Sequence, residues 1–174
     1  MELLEIMRNR RSVRQYTGEP IADEKLEKII QAGLLSASSR GFRPWELIVV
    51  RDHEMLQKMA GCRDGAANML KGADAAVVVV ADETKSDMWI EDCAIVMANM
   101  YLMADAQGIG SCWVQGRKRV AADGSETEDY LRRLLGFPEN VRLEALMSLG
   151  MPAKHAPAYE LDSLMMEKVH REKY

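Results

Sequence analysis

Ala75-Ala76-Val77-Val78-Val79-Val80-Ala81 is the stretch whose reading decides the fold. It is too short to cross a bilayer and too continuously apolar for a strand with one wet face. It therefore reads as a strand near the centre of a sheet, covered on both sides. Working outward, Glu46 to Arg51 carries Leu-Ile-Val-Val and reads as a second strand, Leu143 to Leu149 as a third and Ser111 to Gln115 as a short fourth. Helical patterns fill the gaps. Asp23 is expected to cap a helix running to about Leu35, with Leu26, Ile29, Ile30 and Gly33 on one side. Asp52 caps a short helix stopped by Gly61, a second spans about Gly65 to Lys71, and Ser125-Glu126-Thr127-Glu128 has the form of a capping box for a helix ending at Gly136. The fold class is α+β: one domain over residues 1–174, a sheet flanked by helices.

Met88 to Gln107 is the longest helical pattern, with one apolar stripe through Ile90, Ala94, Met97, Tyr101 and Ala104 and a second through Cys93, Val96, Met100 and Met103. Two stripes imply burial on two sides. A chain of this size has little core to surround a helix, so one side is expected to meet a second copy of the protein. The extension from about 156 to 174 carries Leu161, Leu164, Met165 and Val169 at helical spacing, giving it an apolar face to bury on its own subunit or on a partner.

Composition narrows the function. The 174 residues are 48% hydrophobic and 29% charged, those of an ordinary globule that needs no disulfides. A net charge of -4 argues against a general nucleic-acid binder. Three cysteines without a C-x-x-C pair and three scattered histidines give no metal framework and point to a reducing, cytoplasmic compartment. The first twenty residues have no apolar run, so neither a signal peptide nor a membrane anchor is expected.

Against that acidic background, Arg8, Arg10, Arg11 and Arg14 stand within seven residues, after an amphipathic helix with Leu3, Leu4, Ile6 and Met7 as its buried face. Arg10 and Arg14 share a face if the helix persists, and Ser12 adds a hydroxyl between them. Two guanidinium forks and a hydroxyl match a phosphate dianion. Taken alone, an arginine cluster is better explained as a solvated helix end.

Gly108-x-Gly110 is no dinucleotide fingerprint. Trp113 occupies the place of the third glycine, and the pair closes a helix and opens a strand instead of the reverse. Taken together, Arg10-Arg11-Ser12-Val13-Arg14, Ser38-Ser39 followed by Arg43-Pro44-Trp45, Gly108-Ile109-Gly110-Ser111-Cys112-Trp113-Val114-Gln115-Gly116 and Gly150-Met151-Pro152 resemble, in order and spacing, the FMN-dependent nitroreductase family. The resemblance covers essentially the whole chain.

It implies a mixed sheet flanked by helices, with the long helix at a homodimer interface and one FMN per subunit. By motif position, Arg10, Arg11, Ser12 and Arg14 would hold the phosphate, ribityl chain and pyrimidine edge, and a cation such as Arg14 suits the charge that develops there on reduction. Ser38 and Ser39 would face the flavin from the partner subunit, Gln115 and Gly116 would offer a backbone N–H to the ring, and Lys154 or His155 would be a second phosphate ligand. The family's asparagine and glutamine beside the Pro-Trp pair are here Gly41 and Arg43, and Arg43 brings a charge that favours the reduced anion or an acidic substrate. The implied activity is hydride transfer from NAD(P)H through FMN to a small electron acceptor such as a nitroaromatic or quinone, with no obligatory side-chain acid or base. An FMN store or redox sensor without turnover, and a basic-patch module for a phosphorylated partner, are the other readings.

Overall fold

Four successive valines find apolar cover on both faces in the computed structural model, which describes residues 2–174. Strand β2 (Ala75–Asp82) lies between two antiparallel neighbours, so that Val78 faces Ile48 of β1 (Trp45–Val50) on one side and Leu146 of β4 (Val141–Gly150) on the other. β3 (Gly110–Gln115) adds to the far side of β4, giving the order β1-β2-β4-β3. All three ladders are antiparallel. The sheet is mixed because Ser12 bridges in parallel to Ser111 on the open edge of β3.

Side chains alternate along β2, and each set enters a different core. Val77 and Val79 pack with Ile29 of α2 (Asp23–Leu34) and with Val96, Met97 and Met100 of α4 (Trp89–Ala106). Val78 and Val80 pack on the opposite face with Leu56 of α3 (His53–Met59), Leu131 of α5 (Thr127–Leu135) and Leu70. Cys93 is buried in the first core and Cys62 in the second, and all three cysteines are free. Among the described residues no helix is long and apolar enough to cross a membrane.

Several local expectations are corrected. Asp52 does cap α3, its Oδ1 accepting the Met55 N–H at 2.8 Å. Asp23 does not cap α2; it is the first residue of that helix and pairs with Arg51. The Ser125–Glu128 box does not close either. Ser125 turns back to Asp123, and Glu128 is taken by Arg132, Arg142 and the Leu143 N–H. These carboxylates go to other donors than the local backbone N–H, Asp23 to Arg51 and Glu128 to Arg132 of its own helix and to Arg142 and the Leu143 N–H of β4. The expected helix at Gly65 to Lys71 is a 3-10 turn, Asn68–Gly72, because Gly65 takes a left-handed φ of 64° and leaves too short a run for an α-helix.

Within one chain α4 is buried on one side only. Cys93, Val96, Met97, Met100 and Ala104 are covered, while Ile95 is exposed and Ile90, Ala94 and Tyr101 are partly so. Helix α1 (Leu3–Asn9) packs near α4 but buries none of its residues, leaving Leu3, Leu4 and Met7 about half exposed. The tail forms no α-helix, only the turns Leu161–Ser163 and Met166–Lys168, with Leu161, Leu164, Met165 and Val169 exposed. Without a surface to cover its apolar stripe, so short a segment lacks the packing that makes a helix stable.

The buried thiols make the stability pH-dependent. Burial pushes Cys62 and Cys93 from 9.0 to about 12, and it pushes the Tyr16 phenol up as well. The unfolded chain loses these protons first, so their contribution is complete below the ordinary thiol range and is lost as pH rises toward the folded values. The urea midpoint is expected to fall between about pH 8 and about pH 10.5. A midpoint that stays level over that interval would contradict the burial assigned to these groups.

Candidate active site at the open edge of the sheet

The arginine segment is not helical. α1 ends at Asn9, Ser12 bridges to Ser111, and the Val13 N–H donates to the Ser111 carbonyl at 2.8 Å. Helical spacing therefore does not apply, and the three residues expected to face together meet different neighbours, Arg10 and Ser12 turning to Tyr101 of α4 and Arg14 to the cavity beside Cys112. Arg10 stacks over the Tyr101 ring at 4.5 Å, and Ser12 Oγ meets the Tyr101 hydroxyl at 2.6 Å. Arg14 lies against the Cys112 thiol. Arg11 is not brought together with them: its guanidinium stacks over Tyr159 at 4.3 Å and donates to the Pro157 carbonyl, tying down the tail.

A glycine pair fixes where this segment lies. Gly110 and Gly150 are opposite each other in the β3–β4 ladder. A Cβ on Gly110 would stand 2.8 Å from Val13 Cγ1, and one on Gly150 would stand 2.6 Å from Tyr16 Cγ and Cδ1. Val13 and Tyr16 thus seat over a notch that only glycine leaves open. The Tyr16 hydroxyl meets Ser148 Oγ at 2.7 Å and donates to the Val13 carbonyl at 2.9 Å. Tyr16 also pairs antiparallel with Pro152, and the Ala153 N–H donates to the Gln15 carbonyl at 3.0 Å. Continued one step, that register sets exposed Lys154 opposite Arg14. His155 turns instead to Asp105, at 3.6 Å.

Beside Arg14 the edge of β3 opens into a cavity of about 460 Å³ lined by Arg14, Arg63, Asn68, Met69, Cys112 and Trp113. Neither Arg14 nor Arg63 forms an ion pair among the described residues. Arg63 and Asn68 carry no signal in the local sequence. They come from turns on the far face of the sheet and reach the cavity only through packing. Burial pushes the Cys112 thiol up, against a smaller pull from Arg14, so it is present as a thiol and serves as cavity wall. Trp113 is half-buried against the α4 core and also borders the cavity.

At Gly116 the packing of the sheet itself demands glycine. A Cβ there would stand 2.4 Å from Leu143 Cδ2, and its N–H is already given to the Glu144 carbonyl at 3.1 Å. Alternation along the ladder then turns the N–H groups of Trp113 and Gln115 to the open edge. The Gln115 side chain is fully committed: its Oε1 accepts the Trp113 indole N–H at 2.9 Å, and its Nε2 donates to Glu144. Buried Glu144 is held in turn by Arg117 Nε at 3.0 Å. Gln115 can therefore meet a ligand only through its backbone. From Ser111 to Gln115 the edge runs about 13 Å, with cationic donors at one end and a free N–H at the other.

Ser38, Ser39, Gly41 and Arg43 lie elsewhere. The Ser39 N–H donates to buried Asp92 at 2.7 Å, and Ser38 Oγ accepts the Arg43 N–H at 2.9 Å. Arg40, Gly41 and Arg43 all have left-handed φ, a conformation held here by these bonds. Asp92 is in the first turn of α4 and Tyr101 is nine residues later, about 13 Å along the axis. Within one chain the serine loop and the arginine segment do not converge.

The match to the nitroreductase family covers residues 7–62 and 58–151. A protein of Archaeoglobus fulgidus, provisionally described as an NADH dehydrogenase/NAD(P)H nitroreductase, is 40% identical over 99% of each chain. A solved FMN-dependent nitroreductase from Clostridium difficile superposes with a TM-score of 0.95 at 39% identity, covering 98% of this chain and 99% of the other. The NADPH:FMN oxidoreductase of Vibrio harveyi, solved with NAD+, gives 0.82 at 26% identity over 99% of this chain and 77% of its own.

Proposed function

The chain belongs to the nitroreductase family, and from that premise we propose that it is an FMN-dependent oxidoreductase passing hydride from NAD(P)H to a small acceptor, a nitroaromatic or quinone, by turns at one site. The observation that carries this reading is the edge of β3, where unpaired cations, a cavity and an outward N–H follow one another along a single line. The residues fit the cofactor. Arg10, Ser12 and Lys154 are suited to a phosphate, Arg14 and Arg63 place positive charge beside the cavity, and Trp113 gives it an apolar wall. FMN, when bound there, would supply the hydride relay. The protein's part is to orient and to stabilise charge: Arg14 and Arg63 favour the form that becomes negative, and the Gln115 N–H fixes the ring's position on the edge.

The same reading makes the protein a homodimer. The half-exposed Leu3, Leu4 and Met7, the outer face of α4 at Ile95 and the apolar tail are the surfaces such a partner would cover. It would also bring its own Ser38–Arg43 loop to the cavity that this chain's loop does not reach. Free, buried cysteines agree with a reducing, cytoplasmic setting.

Purified protein is expected to be yellow, or to become so with FMN, and to oxidise NAD(P)H continuously in the presence of menadione. A single stoichiometric bleaching would identify a store instead of an enzyme. Protein that stays colourless after incubation with FMN would remove the reading altogether.

A further inference from the structure

A second cleft, of about 460 Å³, adjoins Gly116 and is lined by Trp89, the Gly116–Val120 turn, Arg142 and the carboxylates Glu83, Glu126 and Glu128. Most of its charges are already matched. Arg142 holds Glu128 at 2.9 Å and Glu83 at 3.2 Å, and Arg117 is turned to Glu144 at 3.0 Å. Among the described residues Lys118 and Arg119 form no ion pair, and of the three lining carboxylates only Glu126 is likewise without one. Among the described residues the only side-chain donation from Arg119 goes to the Lys118 carbonyl, at 3.2 Å. Both side chains are exposed.

The turn that carries them is fixed. The Arg119 N–H donates to the Gly116 carbonyl at 3.2 Å, the Thr127 N–H donates to the Arg119 carbonyl at 2.8 Å, and Val120 bridges to Glu126. Lys118 is held at a φ of 55°, which a long L side chain seldom adopts. Half-buried Trp89, packed against the α4 core, offers the cleft an aromatic wall. An aromatic wall beside two unmatched cations suits a purine joined to a phosphate better than an apolar acceptor. Gly116 follows directly on Gln115, so the cleft begins where the hydride site ends.

On the reading that the reductant is NAD(P)H, we propose that this cleft holds its adenosine end, with Trp89 against the base and Lys118 and Arg119 on the 2′-phosphate, so that NADPH is preferred to NADH. The preference is electrostatic and should weaken as salt is raised.

Calorimetric titration of the purified protein with 2′,5′-ADP and with 5′-AMP tests this without turnover. The bisphosphate is expected to bind on the order of 10- to 100-fold tighter, one or two charge-assisted contacts' worth. Lys118→Ala with Arg119→Ala should erase that difference and lower the NADPH/NADH ratio of kcat/KM by a similar factor. Trp89→Leu should weaken both nucleotides alike. Equal binding of the two nucleotides, or a bisphosphate affinity indifferent to the double substitution, would overturn the assignment. So would a double variant that loses 4-nitrobenzoate but keeps 2′,5′-ADP, since the cations would then serve the acceptor. Failure of the flavin reading would be seen separately, as protein that takes up no FMN.

Discussion

Arg10→Ala combined with Arg14→Ala is expected to weaken FMN binding by about 3 to 6 kcal/mol, the sum of two charge-assisted contacts. The backbone of the segment that carries both arginines is held by Ser111, Met151 and the Gln15–Ala153 bond, so neither substitution should unfold it. Because both act on one ligand, the single substitutions need not add, and the cycle of two singles and the double measures their coupling. Arg10→Ala also removes the stack on Tyr101, but that ring keeps its bond to Ser12 and stays in place. Lysine at either position should recover only part of the loss, since an ammonium offers no planar fork. Release of flavin fluorescence on dilution gives the affinities. Retention equal to the wild type in the double variant would remove the arginine segment from the site.

Much of this was legible in the chain, and the reasons differ from element to element. β2 was legible because continuous apolar character is a local property, and so were β1, β3, β4 and α4. Arg10, Ser12 and Arg14 stand out by residue type as a candidate site, but the helical spacing expected to gather them does not form, since α1 ends at Asn9. The segment is held instead by a parallel bridge from Ser12 to Ser111, a partner 99 positions along the chain. Gly116 was expected to offer its N–H to a ring, but that N–H goes to Glu144 and the neighbour that demands glycine there is Leu143 on the adjacent strand. Arg63 and Asn68 were invisible because a residue in a turn is given its role by the cavity it happens to line. The caps at Asp23 and Glu128 failed through competition from arginines, Arg51 and Arg142 distant and Arg132 one turn along the same helix, and the tail failed because its apolar spacing has no surface within one chain to act on.

Gly150→Ala is expected to loosen flavin binding without altering any residue proposed to touch the flavin. The added methyl would lie 2.6 Å from Tyr16 Cγ and Cδ1 and 3.0 Å from its Cβ, at the root of the side chain where no rotation relieves the overlap. Tyr16 cannot withdraw without giving up its bonds to Ser148 and Val13 and its bridge to Pro152. Overpacking of this kind costs about 1 to 3 kcal/mol, and the phenol that would be uncovered is one that burial now keeps protonated. The segment would lift at Tyr16 and carry Arg14 away from the Cys112 wall, so affinity for FMN and thermal stability should fall together. Gly72→Ala is the control, since a Cβ there meets nothing within 4 Å and its φ is not left-handed. It should be neutral or stabilising by up to about 1 kcal/mol. If the two variants melted alike and held flavin alike, the Gly110–Gly150 notch would not be what seats the arginine segment on the sheet edge.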